Sequence, residues 1–368
     1  MIPLLGRRLA NQQLAHSRFA RAGNLVEWLG AVQAQDYAAA KWAVGQRLTD
    51  STDAELEQAF AEGSILRTHV LRPTWHFVSP ADIRWMLALT APRVRALCQY
   101  YYRQLGLDAA FFARSQKVMA KALEGGRQLT REELACELQR SGMAGCEALG
   151  VDQRMGHIMG RAELDGVVCS GARRGKQFTY ALLEERVPRA KTLSRSEMLA
   201  ELSGRYFRSR GPATLRDFVW WSGLTAKDAR AGLELVKSTL LSEVWGDQTY
   251  WMPDSVAPAR IGGRRAYLLA NFDEYIVAYA DRGAICDRAD ANTVDARNNI
   301  LFNHTIVVDG KIAGTWKRSI SKGRVTVEAK LFAPASATDA RKIAAAADRY
   351  GTFLGLEPQV SGSSAGTL

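Results

Sequence analysis

The sequence predicts an α+β fold, in which one order of elements (helix, turn, helix, strand, turn, strand) occurs three times before a small antiparallel β-sheet or barrel. Polar capping residues precede apolar residues at helical spacing, and short alternating segments flank basic or glycine-containing turns. The length of 368 residues suits two to four modules. We expect them at residues 1–105, 106–190, 191–256 and 257–368.

The repeated order is clearest in the middle of the chain. Thr130-Arg-Glu-Glu133 has the spacing of a capping box and predicts a helix through about Arg140. A second helix is predicted from about Val151 to Glu163, with apolar residues along one face. Residues 167–169 and 177–180 predict strands on either side of a basic wing. This is the order of a winged helix, whose second helix enters a DNA groove while its wing contacts the backbone.

An earlier copy lies near the amino-terminal end. One helix is predicted over Asn24 to about Ala34, and Thr52-Asp-Ala-Glu55 caps a second helix. Residues 65–70 and 74–78 predict two strands. Ser79-Pro80 then predicts the start of a long helix, with proline at its first position.

A later copy follows the middle one. Ser194-Arg-Ser-Glu197 is another capping box and predicts a helix through about Arg208. Thr214 and Thr225 each precede a further short helix. Residues 240–252 alternate around a glycine-containing turn, which predicts a β-hairpin.

The last third of the chain is rich in strand signals. Asp309-Gly310 is typical of a hairpin turn, a helix is predicted over residues 337–351, and residues 361–366 are predicted to be disordered. The predicted strands are Tyr267–Leu269, Asn303–Val308, Ile312–Lys317 and Arg324–Leu331. They suggest a small antiparallel sheet or barrel packed on the repeated modules.

The charge of the chain favours a polyanionic partner. Lysine and arginine number 49 against 38 acidic residues, a net charge of +11. Nucleic acid is the stronger candidate and an anionic membrane surface the weaker one. No secretory signal and no apolar run of about 18 residues is evident, so we expect a cytoplasmic protein without a membrane span. The five cysteines lack CxxC spacing, which argues against a disulfide framework or zinc knuckle.

Several segments, taken in order and spacing, resemble the winged-helix DNA glycosylases of the AlkZ/YcaQ type. The likeness runs from roughly residue 10 to residue 350. The segments are Ala31–Tyr37, Trp42–Arg47, Arg67–His76, Gly211–Phe218, Asn271–Tyr275 and Asp309–Trp316. The resemblance implies three tandem winged helices in a C shape with a C-terminal barrel, and a monomeric protein.

The resemblance also implies an activity and a substrate. The activity is hydrolysis of the bond between deoxyribose and an alkylated purine, and some family members unhook interstrand crosslinks. The expected partner is therefore double-stranded DNA with alkylated bases or crosslinks. The family's active-site signature is glutamine, an apolar residue, then glutamine or aspartate. In this chain the signature is Gln33-Ala34-Gln35.

Two glutamines suit a base that is already cationic. An N7-alkylated guanine leaves as a neutral base without being protonated, so the enzyme has to stabilise an oxocarbenium-like sugar and place a water against it. A carboxamide oxygen accepts a hydrogen bond from that water and turns its dipole toward the sugar. Residues two apart do not share a face of a regular helix. We therefore expect Gln33 and Gln35 at a helix end, the alternative being polar surface residues.

Other residues are candidates for supporting this site. Asp36 is either a base or a helix cap. Trp75 and His76, on a predicted strand beside Arg72, either face the lesion or pack within the protein. Asp273, with the glutamate that follows it, either supports the site or forms a buried salt bridge to an arginine.

The reaction is expected to be a simple hydrolysis. No lysine lies beside the glutamine motif in sequence, so no Schiff-base nucleophile is indicated. We expect a monofunctional enzyme that leaves an abasic site and requires neither a metal ion nor a cofactor.

Basic residues on the predicted wing, helices and strands are candidates for contacts to DNA phosphates, which give affinity but little sequence preference. They are Arg154, Arg161, Arg173, Arg174, Lys176, Arg208, Arg210, Arg216, Arg264, Arg265 and Arg318. The rival functions are a winged-helix transcriptional regulator, a scaffold that binds DNA structures, and an enzyme of another class. The last ranks lowest because the sequence has no P-loop, GxGxxG or HExxH motif.

Overall fold

A computed structural model describes residues 2–143, 145, 153–188, 192–254, 265–286 and 300–362 of the chain. These residues form four separate β-sheets packed among helices, so the predicted mixture of helix and sheet is confirmed. No described helix combines the length and the apolar character that crossing a membrane requires.

The amino-terminal part surrounds a three-stranded sheet, of order β1-β3-β2, with helices. Its elements are α1 (Ile2–Asn11), α2 (Ala22–Leu29), β1 (Val32–Gln33), α3 (Tyr37–Gly45), α4 (Asp53–Glu62), β2 (Leu66–His69), β3 (Trp75–Val78) and α5 (Ile83–Gln104). Helix α4 begins as predicted, because Thr52 and Glu55 form both hydrogen bonds of the capping box.

Two predicted boundaries in this part are wrong. Helix α2 ends at Leu29 rather than near Ala34, because Gly30 takes a positive φ of 74° and turns the chain. Residues 32–33 become a strand instead of a last helical turn. Helix α5 begins at Ile83 rather than at Pro80.

The middle part contains a second three-stranded sheet, of order β4-β6-β5. Its elements are α6 (Ala109–Leu123), β4 (Leu129–Thr130), α7 (Arg131–Arg140), α8 (Arg154–Leu164), β5 (Val168–Ser170), β6 (Thr179–Leu182) and α9 (Leu183–Arg186). The capping box at Thr130 forms as predicted. Residues 151–152, where the second helix was expected to begin, lie outside the described residues.

Helix α8 has almost no free surface. Of its residues only Gly156 is exposed, and the helix packs against α5, α6 and β2. His157 stacks on Tyr101 with ring centroids 5.5 Å apart, and the Arg161 guanidinium lies 4.7 Å from the centre of the Phe112 ring. The polar side chains of this helix are thus half-buried against α5 and α6, and its entry into a DNA groove stays a prediction.

The third part is predominantly helical. Its elements are α10 (Arg195–Arg210), α11 (Leu215–Ser222), α12 (Ala226–Val236), β7 (Leu240–Trp245) and β8 (Gln248–Pro253). Ser194 and Thr214 form capping boxes, and Thr225 accepts a backbone hydrogen bond at the start of α12. Strands β7 and β8 pair as the predicted hairpin around Gly246-Asp247.

The carboxyl-terminal part is a five-stranded sheet of order β13-β12-β11-β10-β9. Its elements are β9 (Ala266–Leu269), α13 (Glu274–Val277), β10 (Thr305–Val308), β11 (Lys311–Ser321), β12 (Arg324–Leu331), α14 (Ala337–Leu354) and β13 (Glu357–Gly362). The prediction of an antiparallel sheet holds for β9 to β12. It is wrong for β13, which pairs parallel to β12 because α14 carries the chain back across the sheet. Ser361 and Gly362 belong to this strand and not to a disordered tail.

Two large cores join parts of the chain that are distant in sequence. In the first, Trp42 of α3 packs on Tyr350 and Phe353 of α14, and its indole N–H donates to the Leu268 carbonyl of β9. The second core joins β2, β3 and α5 to helices α10–α12, with Trp221 fully buried within it. The amino-terminal part is thus wedged between the third part and the carboxyl-terminal sheet.

A buried ion pair reinforces this arrangement. Arg47, just after α3, donates hydrogen bonds of 2.6 and 2.9 Å to the two carboxylate oxygens of Asp273, and both side chains are completely buried. The guanidinium also bonds to Gln12 and to the Ala43 carbonyl. The buried salt bridge that was one of the two readings of Asp273 is therefore confirmed.

We predict that Asp273→Asn lowers the free energy of unfolding by about 3–5 kcal/mol, because it leaves the buried Arg47 charge without its counter-ion. Urea or thermal unfolding followed by circular dichroism measures the change. Glu357→Gln is the matched control, since its pair with Arg324 is exposed and should contribute less than about 1 kcal/mol. Equal effects of the two substitutions would contradict the prediction.

Candidate active site

The glutamine motif lies in an extended segment between α2 and α3. Gln33 ends strand β1 and is buried, Gln35 is exposed, and Asp36 caps α3 by accepting a hydrogen bond from the Ala39 N–H at 3.1 Å. The expected helix end is therefore the beginning of α3, and a strand rather than a helix carries Gln33. Of the two roles predicted for Asp36, the structure supports the helix cap.

Glu274 fixes the backbone of this motif. Its Oε1 accepts a hydrogen bond from the Gln33 N–H at 3.0 Å. Its Oε2 accepts from the Arg210 guanidinium and from the Trp221 indole N–H, the latter at 3.0 Å. The side chains of Glu274, Arg210 and Trp221 are fully buried. Glu274 is thus both an arginine-paired buried acid and a support of the candidate site, which joins the two readings of this acidic segment.

Arg210 acts from the same buried position. Its two terminal nitrogens donate to the carbonyls of Leu29 at 2.6 Å and Ala31 at 2.8 Å. The guanidinium therefore closes the turn that leads from α2 into the motif. The prediction that Arg210 contacts DNA is wrong, because its side chain has no exposed surface and every polar group of the guanidinium faces protein.

Arg72 orients the side chain of Gln33. One terminal nitrogen donates to Gln33 Oε1 at 2.8 Å, and the other donates to the Trp221 carbonyl. Since arginine is only a donor, this contact identifies the oxygen end of the Gln33 amide. Leu71, buried with a left-handed φ of 62°, aims the loop toward the motif. Burial lowers the pKa of Arg72 to about 10, so the group remains charged at neutral pH.

His76 lies opposite Gln33 in the β1–β3 pair and is fully buried. Its Nδ1 lies 2.9 Å from the Thr74 carbonyl and so carries the proton, which leaves Nε2 as an acceptor without a partner among the described residues. Burial, with the nearby Arg72 charge, holds the pKa of His76 well below its usual range. His76 is therefore a neutral packed side chain, as one of its two readings had it.

The other glutamine lies at the edge of the same sheet. Gln35 Oε1 is 3.4 Å from the Trp75 backbone N–H, and the Ala34 N–H donates to the Trp75 carbonyl at 2.7 Å. Trp75 is half-buried and stacks against His69, with ring centroids 4.4 Å apart. Arg67 donates from Nε to the Ala34 carbonyl at 2.9 Å. The three residues of the motif are thus each held by a different contact.

Sequence reasoning did not single out Trp220, Trp221 or Arg67. The two tryptophans follow the Thr214 cap at consecutive helical positions, so one is buried while Trp220 remains 43% exposed beside Arg72. Arg67 lies within a segment of the family resemblance, but its burial is visible only once β2 is packed against the middle part.

The predicted DNA-contacting residues divide by exposure. Lys176, Arg208, Arg216 and Arg265 are exposed, and Arg174 is exposed while paired with Glu133 at 2.7 Å. The others are half-buried: Arg161 pairs with Asp165, Arg173 with Glu57, Arg318 lies over the Tyr350 ring, and Arg154 lies over the Phe111 ring. Arg264 lies outside the described residues.

The part of the chain that the structure describes contains no group of three or more histidine, cysteine, aspartate or glutamate side chains placed to share a metal ion. The polar groups that surround the motif are instead amides, guanidinium groups and the Glu274 carboxylate.

Comparison with known proteins gives a consistent result. The family model described as "DNA glycosylase AlkZ-like" matches residues 26–353. An "Interstrand DNA cross-link repair glycosylase" of Streptomyces sahachiroi is 22% identical over 335 residues, which is 84% of this chain and 85% of that protein. The solved structure of "Streptomyces sahachiroi DNA glycosylase AlkZ" has a TM-score of 0.78 at 20% identity and 98% coverage of both chains. The structural likeness shows a shared fold.

His304 provides a pH-dependent test of the packing behind the motif. Its Nδ1 accepts the Asn271 N–H at 3.0 Å and its ring packs on Trp316. Burial, together with Arg318, lowers the pKa of His304 to about 4. Between an ordinary pKa of about 6.5 and this value, the unfolded chain binds a proton that the folded chain does not. Stability from this group is therefore present above pH 6.5 and is lost as the pH falls toward 4.

We predict that His304→Asn, which keeps an acceptor but cannot titrate, loses less Tm than the wild type between pH 7.5 and pH 5. Differential scanning fluorimetry at both pH values measures this. His16→Asn, at an exposed position, is the control and should show the acid response of the wild type. The same acid response in all three proteins would contradict the prediction.

Proposed function

The chain belongs to the AlkZ-like family of DNA glycosylases, and on that premise we propose that it hydrolyses the N-glycosidic bond of cationic N7- or N3-alkylated purines in double-stranded DNA and unhooks interstrand crosslinks. The resemblance found in the sequence is confirmed by the family match over residues 26–353. The crosslink-repair name of the Streptomyces sahachiroi relative supports the second half of the proposal. The observation that carries the proposal is the double fixation of Gln33, by Glu274 at its backbone and by Arg72 at its side chain.

The proposed reaction uses an already charged leaving group. Cleavage of the glycosidic bond in an N7-alkylguanine nucleotide moves the bonding electrons onto the base, which leaves neutral, and the sugar becomes oxocarbenium-like. A water then forms the new C–O bond and gives up a proton. Gln33 and Gln35 would hold this water through their carboxamide oxygens, whose dipoles also favour the cationic sugar.

Rigid placement is what two neutral amides need to be effective. An amide is a weak base, so its contribution lies in holding the water within attacking distance rather than in removing its proton. Arg72 occupies one lone-pair direction of Gln33 Oε1 and leaves the second available. Asp36 is a carboxylate near this position, but its side chain caps α3.

We further propose that the amino-terminal, middle and third parts are each a winged-helix module and that the sheet of β9–β13 forms the C-terminal module. The proposed boundaries are those that the sequence predicts. Because the polar side chains of α8 are half-buried, we place the contacts to the DNA backbone on the basic wing and on other exposed cations. These cations are Arg174, Lys176, Arg208, Arg216 and Arg265. We propose a monomer that acts on DNA in the cytoplasm without a cofactor.

We predict that Gln33→Ala and Gln35→Ala each slow base release at least about tenfold, about 1.4 kcal/mol of barrier. The substrate is a duplex with one N7-methylguanine under single-turnover conditions, with abasic sites revealed by mild alkali. DNA affinity, measured by fluorescence anisotropy, should stay unchanged. Gln58→Ala, on the exposed surface of α4, is the matched control and should react like the wild type.

The same proteins should be tested on a duplex carrying one N7-linked interstrand crosslink, with unhooking followed by denaturing electrophoresis. Release of methylguanine without unhooking would limit the proposal to monoadducts. No base release from either substrate by the wild type would contradict it and would return attention to a DNA-binding regulator, which the family membership does not favour.

A further inference from the structure

Arg67 carries a buried charge whose hydrogen-bonding capacity is mostly unused. Its side chain is only 8% exposed, yet among the described residues its guanidinium has one hydrogen-bond partner, the Ala34 carbonyl. The terminal nitrogens Nη1 and Nη2 are not sealed in the interior but keep some contact with solvent. A buried guanidinium normally pairs with a carboxylate or another anion.

The space in front of Arg67 is a cleft between the amino-terminal and middle parts. It has a volume of about 270 Å³, and Trp75 and Phe178 form its apolar walls. The Arg67 guanidinium lies 4.3 Å from the centre of the Trp75 ring and 4.5 Å from that of Phe178. Held between two rings, the planar group loses little conformational freedom when it binds a ligand.

Other positive groups surround the same cleft. Arg131 and Lys176 line it, both are exposed, and neither forms a salt bridge within the described part of the chain. Arg131 is the first residue of α7, whose amino-terminal N–H groups present the positive end of a helix dipole. One carboxylate, Glu132, also lines the cleft, and it accepts a hydrogen bond from the Gln177 amide at 3.2 Å.

We propose that this cleft binds one backbone phosphate of the DNA, next to the nucleotide whose base is released. A phosphodiester presents two anionic oxygens that match the paired N–H groups of a guanidinium, and Lys176 and Arg131 would complete its neutralisation. The proposal rests on the proposed function, because it takes DNA as the ligand.

The position of Arg67 links this phosphate to the chemistry. The same guanidinium that faces the cleft holds the Ala34 carbonyl, between the two glutamines of the motif. A phosphate bound to Arg67 would therefore lie near the reacting sugar and set the register of the strand against Gln33 and Gln35. Arg67 is on this view a DNA-binding and positioning residue, with no part in bond making.

The first measurement is the salt dependence of affinity for an undamaged duplex and for a duplex with one N7-methylguanine. Arg67→Gln should weaken binding about tenfold. It should also reduce the slope of log Kd against log salt by about 0.9, the contribution of one neutralised phosphate. Arg67→Lys should keep the slope and lose part of the affinity, since it keeps the charge but not the paired donors. Arg140→Gln removes a charge at the far, exposed end of α7 and should leave the slope unchanged.

The second measurement locates the phosphate. Neutral methylphosphonate linkages are placed one at a time around the lesion on both strands. For the wild type and Arg140→Gln, one particular methylphosphonate substitution should lower the affinity for the duplex. For Arg67→Gln, the same substitution should cause no further loss. If Arg67→Gln proves unstable, Lys176→Gln with Arg131→Gln, at the exposed rim, should show a partial form of the same non-additivity.

Additive losses at every linkage, with an unchanged salt slope in Arg67→Gln, would overturn the site. Competition by inorganic phosphate that is equal for wild type and Arg67→Gln would also count against it, because a free anion would then be bound elsewhere. Both measurements read binding and not base release. Failure of the wild type to excise, with the coupling intact, would contradict the proposed function alone.

Discussion

The carboxylate of Glu274 is the contact on which the arrangement of the candidate site depends. It joins three elements at once: the Gln33 backbone in β1, Arg210 at the end of α10 and Trp221 in α11. A buried ion pair adds little net stability, because desolvating both charges offsets most of their attraction. Its value here lies in direction, since Oε1 binds the Gln33 backbone and Oε2 binds Arg210 and Trp221, which fixes β1 relative to α10 and α11.

Asp273, immediately before Glu274, is a second buried carboxylate that binds an arginine. Asp273 binds Arg47, which lies just after α3, the helix that follows the glutamine motif. Phe272, in front of both acids, takes a left-handed φ of 59°. That conformation is unfavourable for a bulky side chain. It turns two consecutive carboxylates toward two different arginines.

The sequence predicted what local chemistry determines. The capping boxes at Thr52, Thr130 and Ser194 begin helices because the cap side chain and the glutamate side chain each accept a hydrogen bond from the other residue's backbone N–H. This exchange requires no distant partner. The family resemblance singled out the glutamine motif, whose role stays a prediction, and the acidic segment was recognised with both of its roles left open. These features are properties of a few adjacent residues.

Features that depend on packing between distant parts were predicted poorly. Arg208 and Arg210 are both arginines, and charge alone therefore assigned both to DNA. In the structure only Arg210 faces the buried carboxylate of Glu274, whereas Arg208 is exposed. The packing of α5 against α8, which half-buries the polar side chains of α8, is likewise not visible in the sequence of α8 itself. The parallel pairing of β13 follows from the crossover through α14, whereas the strand residues themselves would serve either direction.

At the candidate site, the charged carboxylate of Glu274 lies behind the motif, and the side chains of the motif are neutral amides. A carboxylate in direct contact with the reacting sugar would stabilise a cation strongly, but it would also be attracted to the cationic base and favour the bound substrate. In the structure the fully buried carboxylate holds the backbone of Gln33, while the side chains that would meet the water are neutral amides. Amides do not titrate, so their orientation is set by Arg72 and the strand rather than by pH. For the lesion proposed above, which carries its own positive charge, placement of the water would be the larger part of the remaining task, and the fixed position of Gln33 suits that proposed role.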